Sequence, residues 1–165
     1  MFKELEQLQN SIFSKLNLII LNLQPDSECE DYLGCEFILN KTNIKFRKAK
    51  ITPKKIGQFV TLWKRNLQNK QTEPFTSEDP FDFYIIFTEC NNQFGFFFFP
   101  NSILSQKNIL TSLSKEGKRG FRIYPDWDLP ENKQAQKTQN WQKEFFINFS
   151  DENSLEKFEY ILKLF

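Results

Sequence analysis

Two adjacent apolar strands are predicted by the run FDFYIIFTECNNQFGFFFF, residues 81–99. Phe81–Phe87 and Gly95–Phe99 are apolar at nearly every position, and the polar stretch Cys90–Gln93 lies between them. A strand with one solvated face alternates polar and apolar residues, so an unbroken apolar run indicates burial on both faces. This stretch therefore predicts the centre of a sheet that is covered on both sides.

The segments on either side predict further strands and the covering helices. Apolar residues spaced three or four apart indicate helices, and short β-rich runs bounded by turn residues indicate strands. The predicted strands are Leu18–Leu23, Cys35–Leu39, Ile44–Ile51 and Phe121–Tyr124, of which the second and third form a hairpin. The predicted helices are Phe2–Leu16, Pro53–Leu67 with Thr52 as N-cap, Lys133–Phe146, and a last helix capped by Ser150. This order predicts a single α+β domain over residues 1–165, with a mixed central sheet flanked by helices.

Histidine is absent from the 165 residues, and this absence excludes several kinds of chemistry. Without imidazole there is no Ser-His-Asp or Cys-His catalysis, no His-ligated zinc, and no iron site of two histidines and one carboxylate. The three cysteines form no CxxC pair and are expected to be reduced thiols. The first segment is not a signal peptide, and no apolar run is long enough to cross a bilayer. We therefore expect a cytoplasmic protein without membrane contact and without a cofactor.

Charge is segregated along the chain, although 22 Lys plus Arg against 21 Asp plus Glu gives a net charge of only +1. Residues 41–70 contain ten basic residues and no acidic one. Five acidic residues lie within 26–36 and five more within 73–89. A solvated basic face explains such a window, and so does a surface that binds an anionic partner.

The two-residue period of a strand predicts where a surface that binds an anionic partner would lie. If Ile44–Ile51 is extended, Lys48 and Lys50 share a face with the apolar Ile44 and emerge beside the core at the end of the strand. The helix predicted to begin at Thr52-Pro53 would direct its free N–H groups to the same region. We therefore expect the lysines and the helix N-terminus to form an anion site there.

Three segments, in this order, resemble the MepB family. They are FRKAKITP followed by GQFV within residues 46–63, GKRGFRIYPDWD at 117–128, and KQAQKTQNWQ at 133–142. The resemblance extends from the first helix to about Phe149 and leaves residues 151–165 as a C-terminal helical extension. The family has no agreed biochemical activity. The resemblance implies a restriction-endonuclease-like fold and, on that ground, binding to DNA or RNA.

The resemblance also implies where a metal site would lie. Such nucleases hold a metal ion with an acid on one hairpin strand and an acid-x-Lys triplet on the next. Glu36 and Lys50 fit this pattern, but Lys48 occupies the position of the second acid. A cation there repels Mg²⁺, which prefers carboxylate oxygens, so these positions are not expected to form the standard metal site. Asp82 is a further candidate carboxylate.

Three functions remain open at this point. The first is a nucleic-acid-binding protein with a degenerate nuclease-like fold. The second is a metal-dependent phosphodiesterase that uses Glu36, Asp82 and Lys50, for which Mg²⁺ would be the cofactor. The third is a small-anion sensor or protein-interaction module. The residues predicted to bind nucleic acid or an anion are Lys48, Lys50, Lys54, Lys118, Arg119, Arg122, Lys133 and Lys137, with Trp127 able to stack on a base.

Overall fold

A six-stranded sheet forms the centre of the protein in the computed structural model, which describes all residues from Met1 to Phe165. The strands are β1 Ile20–Pro25, β2 Cys35–Leu39, β3 Thr42–Lys48, β4 Lys50–Ile51, β5 Gln58–Thr61, β6 Trp63–Arg65, β7 Thr72–Pro74, β8 Phe83–Cys90, β9 Gln93–Pro100, β10 Gly120–Ile123 and β11 Phe146–Asn148. The helices are α1 Lys3–Leu8, α2 Asn101–Gln106, α3 Lys133–Gln142 and α4 Ser154–Leu164. Together they form a single α+β domain.

The central sheet is mixed and has the strand order β1-β2-β3-β8-β9-β11. β3 and β8 run parallel, and the other neighbours are antiparallel. The hairpin between β8 and β9 turns at Asn91 and Asn92, which both have positive φ and are residues that tolerate this conformation. The prediction of two doubly buried central strands is confirmed, because every residue from Phe83 to Thr88 and from Gly95 to Pro100 is buried.

Two hydrophobic cores lie on opposite faces of this sheet. Along β9 the side chains alternate, so that Phe96 and Phe98 belong to one core while Phe97 and Phe99 belong to the other. α1, the helical turns that continue it to Leu16, and α4 cover the first face. The second face is covered by α2 and by a small antiparallel sheet of order β10-β5-β4. No helix combines the length and apolar character that crossing a membrane requires.

The predicted helix Pro53–Leu67 is wrong. These residues form a loop followed by β5 and β6. Lys54 has φ 66° and Gly57 has φ 88°, values that a right-handed helix does not contain. Val60 and Leu62 are buried between half-buried neighbours, which is the two-residue period of a strand. Pairing of β5 with both β4 and β10 therefore outweighs the helical spacing of the apolar residues.

The remaining differences concern element ends and short elements. α4 begins at Ser154 rather than at Ser150, and α3 gives way after Gln142 to a short turn and then to β11. β11 pairs with β9 and completes the edge of the central sheet. α2 follows β9 directly and was not predicted.

Candidate functional site

Lys48 and Lys50, predicted to form one anion site, are separated by the structure. The Lys48 ammonium lies 2.7 Å from Glu4 Oε1 and 2.6 Å from Glu89 Oε1. Burial disfavours its charged form, but the hydrogen bonds to the two carboxylates outweigh that effect and raise the pKa of Lys48. Lys50 lies in β4 of the small sheet, and no helix begins at Pro53. The expectation of two lysines beside a helix N-terminus is therefore wrong.

Lys50 instead joins a row of residues across the small sheet. In the register of the three strands Lys50 pairs with Phe59, and Phe59 pairs with Arg122. Directly paired residues of an antiparallel sheet point to the same face, so these three side chains lie side by side. The opposite face carries Val60, which is fully buried in the second core. The Lys50 ammonium lies 4.6 Å from the centre of the Tyr32 ring, a cation–π contact.

Arg122 connects the loop that contains Lys54 to this row by hydrogen bonds. Its guanidinium donates hydrogen bonds to the Ile56 carbonyl oxygen, at 3.2 Å, and to the Thr52 hydroxyl. Lys54 lies within that loop and is exposed. We call the surface formed by Lys50, Lys54, Phe59 and Arg122 the basic face. None of the ten ion pairs in the structure includes its three cations.

Two further predicted phosphate contacts, Lys118 and Arg119, immediately precede β10. Lys118 lines a groove of about 430 Å³, together with Arg122 and with residues of α3, and no acidic side chain lines this groove. Arg119 donates hydrogen bonds to Thr72 and lies 3.8 Å from Glu116. Lys118 thus adjoins the basic face, whereas Arg119 is engaged with its own neighbours.

The remaining predicted contacts lie further along the chain. Lys133 and Lys137 are exposed one turn apart on α3, outside the groove. Trp127 is half-buried, packs edge-on against Phe146 with ring centres 5.4 Å apart, and keeps its indole nitrogen buried. Its ring therefore closes the edge of the second core.

The three candidate nuclease residues lie in three different places. Glu36 on β2 pairs with Lys45 on β3, and the Lys45 ammonium lies 3.0 Å from Glu36 Oε2. Asp82 accepts a hydrogen bond from the backbone N–H of Asn43 at 2.8 Å. Lys50 belongs to the small sheet. The cations of β3 on the face of Glu36 are Lys45 and Arg47. Lys48 points to the opposite face, since side chains alternate along a strand.

Sequence reasoning missed an ionic cluster at this position, formed by Asp26, Glu36 and the buried Lys45 and Arg47. Asp26 accepts from Lys45 at 2.8 Å and from Arg47 at 2.7 Å through its two different oxygens. The side chains of Lys45 and Arg47 are only 6% and 1% exposed. The available signal was two cations, Lys45 and Arg47, that alternate with the apolar Ile44 and Phe46 along β3. Buried cations require anionic partners, and the acid-rich segment before β2 supplies them.

The ionic cluster forms the floor of an open cleft of about 680 Å³. Trp63, Phe75 and Phe81 contribute aromatic side chains to its lining. The Lys45 ammonium lies 5.4 Å from the ring centre of Phe75 and 5.0 Å from that of Phe81. Nε of Arg47, a group that donates one hydrogen bond, has no acceptor although it is buried. The cleft thus combines aromatic walls with both signs of charge.

Comparison with known proteins gives the lineage of this arrangement. The family model described as MepB-like matches residues 26–148, a range that contains the ionic cluster and the basic face. The chain belongs to the MepB-like family. The crystal structure of MepB is similar over 92% of this chain and 100% of that chain, with 32% sequence identity and a TM-score of 0.79. The resemblance inferred from the three segments is confirmed.

A second solved structure is similar at a greater distance. The bacterial homing endonuclease I-Ssp6803I matches with 14% identity and a TM-score of 0.46, over 84% of each chain. A likeness this remote does not bear on activity. No curated protein matches the sequence.

Proposed function

We propose that this MepB-like protein binds the phosphate backbone of nucleic acid through the basic face. The observation that carries the proposal is the row of Lys50, Phe59 and Arg122 across the small sheet. Most basic side chains near this row in the sequence are neutralised by carboxylates, but Lys50, Lys54 and Arg122 are not. Cations without an internal partner are the ones that can release counterions from a phosphate backbone.

The aromatic residues of this surface favour a single strand as the partner. Phe59 lies between two cations and is half-buried, and Tyr32 lies beneath Lys50. Proteins that bind single strands combine a basic track for the backbone with aromatic side chains on which bases stack. Because the net charge is only +1, attraction of a polyanion has to come from such a local patch rather than from the whole molecule.

We also infer that the fold is nuclease-like and degenerate. The support is the hairpin of β2 and β3 beside the parallel strand β8, with Glu36 on the first hairpin strand. The residues of β3 that face Glu36 are cations, Lys45 and Arg47. Mg²⁺ needs carboxylate oxygens at such positions, and cations there oppose its binding. This chemistry favours binding over strand cleavage.

The test is fluorescence anisotropy with labelled single-stranded and duplex oligonucleotides over a range of salt concentrations. We compare the wild type with the double variant Lys50→Gln, Arg122→Gln. For a single strand the log–log salt slope is about −0.7 per phosphate contact, so loss of two contacts makes the slope less steep by about 1.4. The control is Lys3→Gln, Lys15→Gln, which removes the same charge from exposed lysines on the opposite side of the central sheet.

The proposal requires that the basic-face variant binds all sequences more weakly and that the control binds like the wild type. Binding that is insensitive to salt, or equally weak in both variants, would refute it. Competition by inorganic phosphate as effective as competition by the oligonucleotide would identify a small-anion site instead. Far-UV circular dichroism confirms that each variant is folded.

A further inference from the structure

The cleft above the ionic cluster is continuous with the basic face. A shallow depression lined by Tyr32 and Thr61 adjoins the cleft, and the two share Trp63 and residues 27–29 in their linings. The Tyr32 ring contacts the Lys50 ammonium. Thr61 lies on β5 two residues after Phe59, so its side chain points to the same side of the small sheet. The depression is lined by three acidic residues, Glu28, Glu30 and Asp31, and by no basic one, so a base of the bound strand, and not its phosphates, extends across it to Trp63.

We propose that the cleft accepts one unstacked nucleobase, preferentially guanine, from a strand held on the basic face; this rests on the proposed function. A volume of about 680 Å³ lies within the range of pockets that hold small molecules. Trp63 is half-buried and presents an aromatic surface at the mouth. Every base has a flat π-face that stacks on such a ring.

The polar groups of the cleft fit a ligand that has donors and acceptors on adjacent positions. The Glu36 side chain is 44% exposed and binds Lys45 through Oε2 only, so Oε1 is available to a ligand. The cations of the lining that a ligand can reach are Lys64 and Arg65, whose side chains are 31% and 38% exposed, whereas Arg47 is buried. The ligand must therefore donate to a carboxylate and accept from a cation.

Guanine meets both requirements. Its N1–H and N2–H groups donate side by side, one to the free Oε1 of Glu36 and the other to Oε2, which can accept a second hydrogen bond besides that from Lys45. Its O6 and N7 are acceptors that arginine and lysine bind. Adenine has no pair of adjacent donors: its single donor group, N6–H₂, lies between the acceptors N1 and N7, so a carboxylate receives one hydrogen bond from it instead of two.

The charges of the cleft favour a neutral base over a phosphate. Glu36 is joined in the lining by Asp26 and by Glu28 near the mouth, so three carboxylates face four cations. Most of these cations are already paired with the carboxylates, which leaves little attraction for a free anion. The backbone phosphates accordingly belong to the basic face and the base to the cleft.

Two measurements test the assignment. The first is the thermal unfolding midpoint in millimolar guanosine monophosphate, with ribose 5-phosphate as the control for the phosphate alone. We expect the nucleotide to raise the midpoint by about 3 °C and ribose 5-phosphate to leave it unchanged. The second is the affinity for a single strand with one central guanine, compared with the same strand carrying an abasic site there. We expect guanine to bind about tenfold more tightly, the size of one stacking contact.

Variants link both effects to the cleft. Trp63→Ala should abolish the tenfold difference while leaving the affinity for the abasic strand unchanged, and Trp63→Phe should retain most of it. Glu36→Gln should lower the preference for guanine over adenine without weakening the binding of the abasic strand. An unchanged midpoint together with equal binding of guanine and abasic strands overturns the inference, and it leaves backbone binding intact. If guanosine monophosphate raises the unfolding midpoint but no strand binds, the result refutes strand binding by the basic face and leaves the base site in the cleft intact.

Discussion

Asp26 is the residue whose removal most directly tests the ionic cluster. Its two oxygens bind Lys45 and Arg47 separately, and Lys45 retains Glu36 as a second partner. Arg47 has no other carboxylate; its remaining hydrogen bond goes to the Phe46 carbonyl oxygen. The substitution Asp26→Asn therefore leaves the guanidinium, 1% exposed, without an anion.

The expected loss of stability follows from this burial. Breaking a buried ion pair by removing one partner costs about 3–5 kcal/mol, because the other charge stays desolvated. The Asp26 side chain is 18% exposed, so water reaches part of the pair and the lower figure, about 3 kcal/mol, applies. With a urea m-value of about 2 kcal/mol/M for a domain of this size, the unfolding midpoint falls by about 1.5 M.

Urea unfolding followed by tryptophan fluorescence measures this shift. Glu28→Gln is the matched control, since it breaks a pair with Arg65 that is exposed on both sides, and we expect no measurable change. The double variant Asp26→Asn, Arg47→Met removes the stranded charge and should recover at least half of the loss. A midpoint shift below about 0.5 M for Asp26→Asn, or a double variant no more stable than the single one, would refute the reasoning.

Three further predictions concern packing and titration. Gly34→Ala places a Cβ 2.6 Å from a neighbouring side-chain carbon and should destabilise the protein by about 1–3 kcal/mol in the same urea assay. Phe158→Ala should cost about 3–5 kcal/mol, because this fully buried ring of α4 fills the first core; stability equal to wild type would show α4 to be dispensable. Burial raises the pKa of Asp128, so its ionised form destabilises the fold at neutral pH. Asp128→Asn should therefore raise the thermal midpoint at pH 7, with the gain disappearing as the pH falls through the raised pKa, and a gain that persists at pH 3 would contradict this assignment.

The central sheet could be predicted because its signal is local. The stretches Phe83–Phe87 and Phe94–Pro100 are apolar at almost every position, and two asparagines mark the turn between them. The helix prediction for residues 53–67 was wrong because the apolar positions of this segment satisfy both a helical and a strand period. What decides between the two is pairing with β10, about sixty residues further along the chain, together with the positive φ of Gly57.

The candidate site depends on register, which the sequence does not contain. Lys50 and Arg122 become neighbours only because Phe59 pairs with each of them from opposite sides. Lys48 was placed on the correct face of its strand, but its partners come from α1 and β8. Local periodicity tells which face a side chain occupies, whereas its neighbours across strands follow from the tertiary fold.

The acid-free window of residues 41–70 divides into two groups of cations with different roles. Lys45, Arg47 and Lys48 lie on β3, where burial demands carboxylates, and the acid-rich segments on either side of the window supply them together with Glu4 of α1. Lys50 and Lys54 lie beyond the end of β3, outside the reach of those acids, and remain exposed and unpaired. The same segregation of charge therefore stabilises the fold within β3 and leaves free cations just beyond the end of this strand. Since only free cations exchange counterions for phosphates, the salt dependence of binding reports the second group alone.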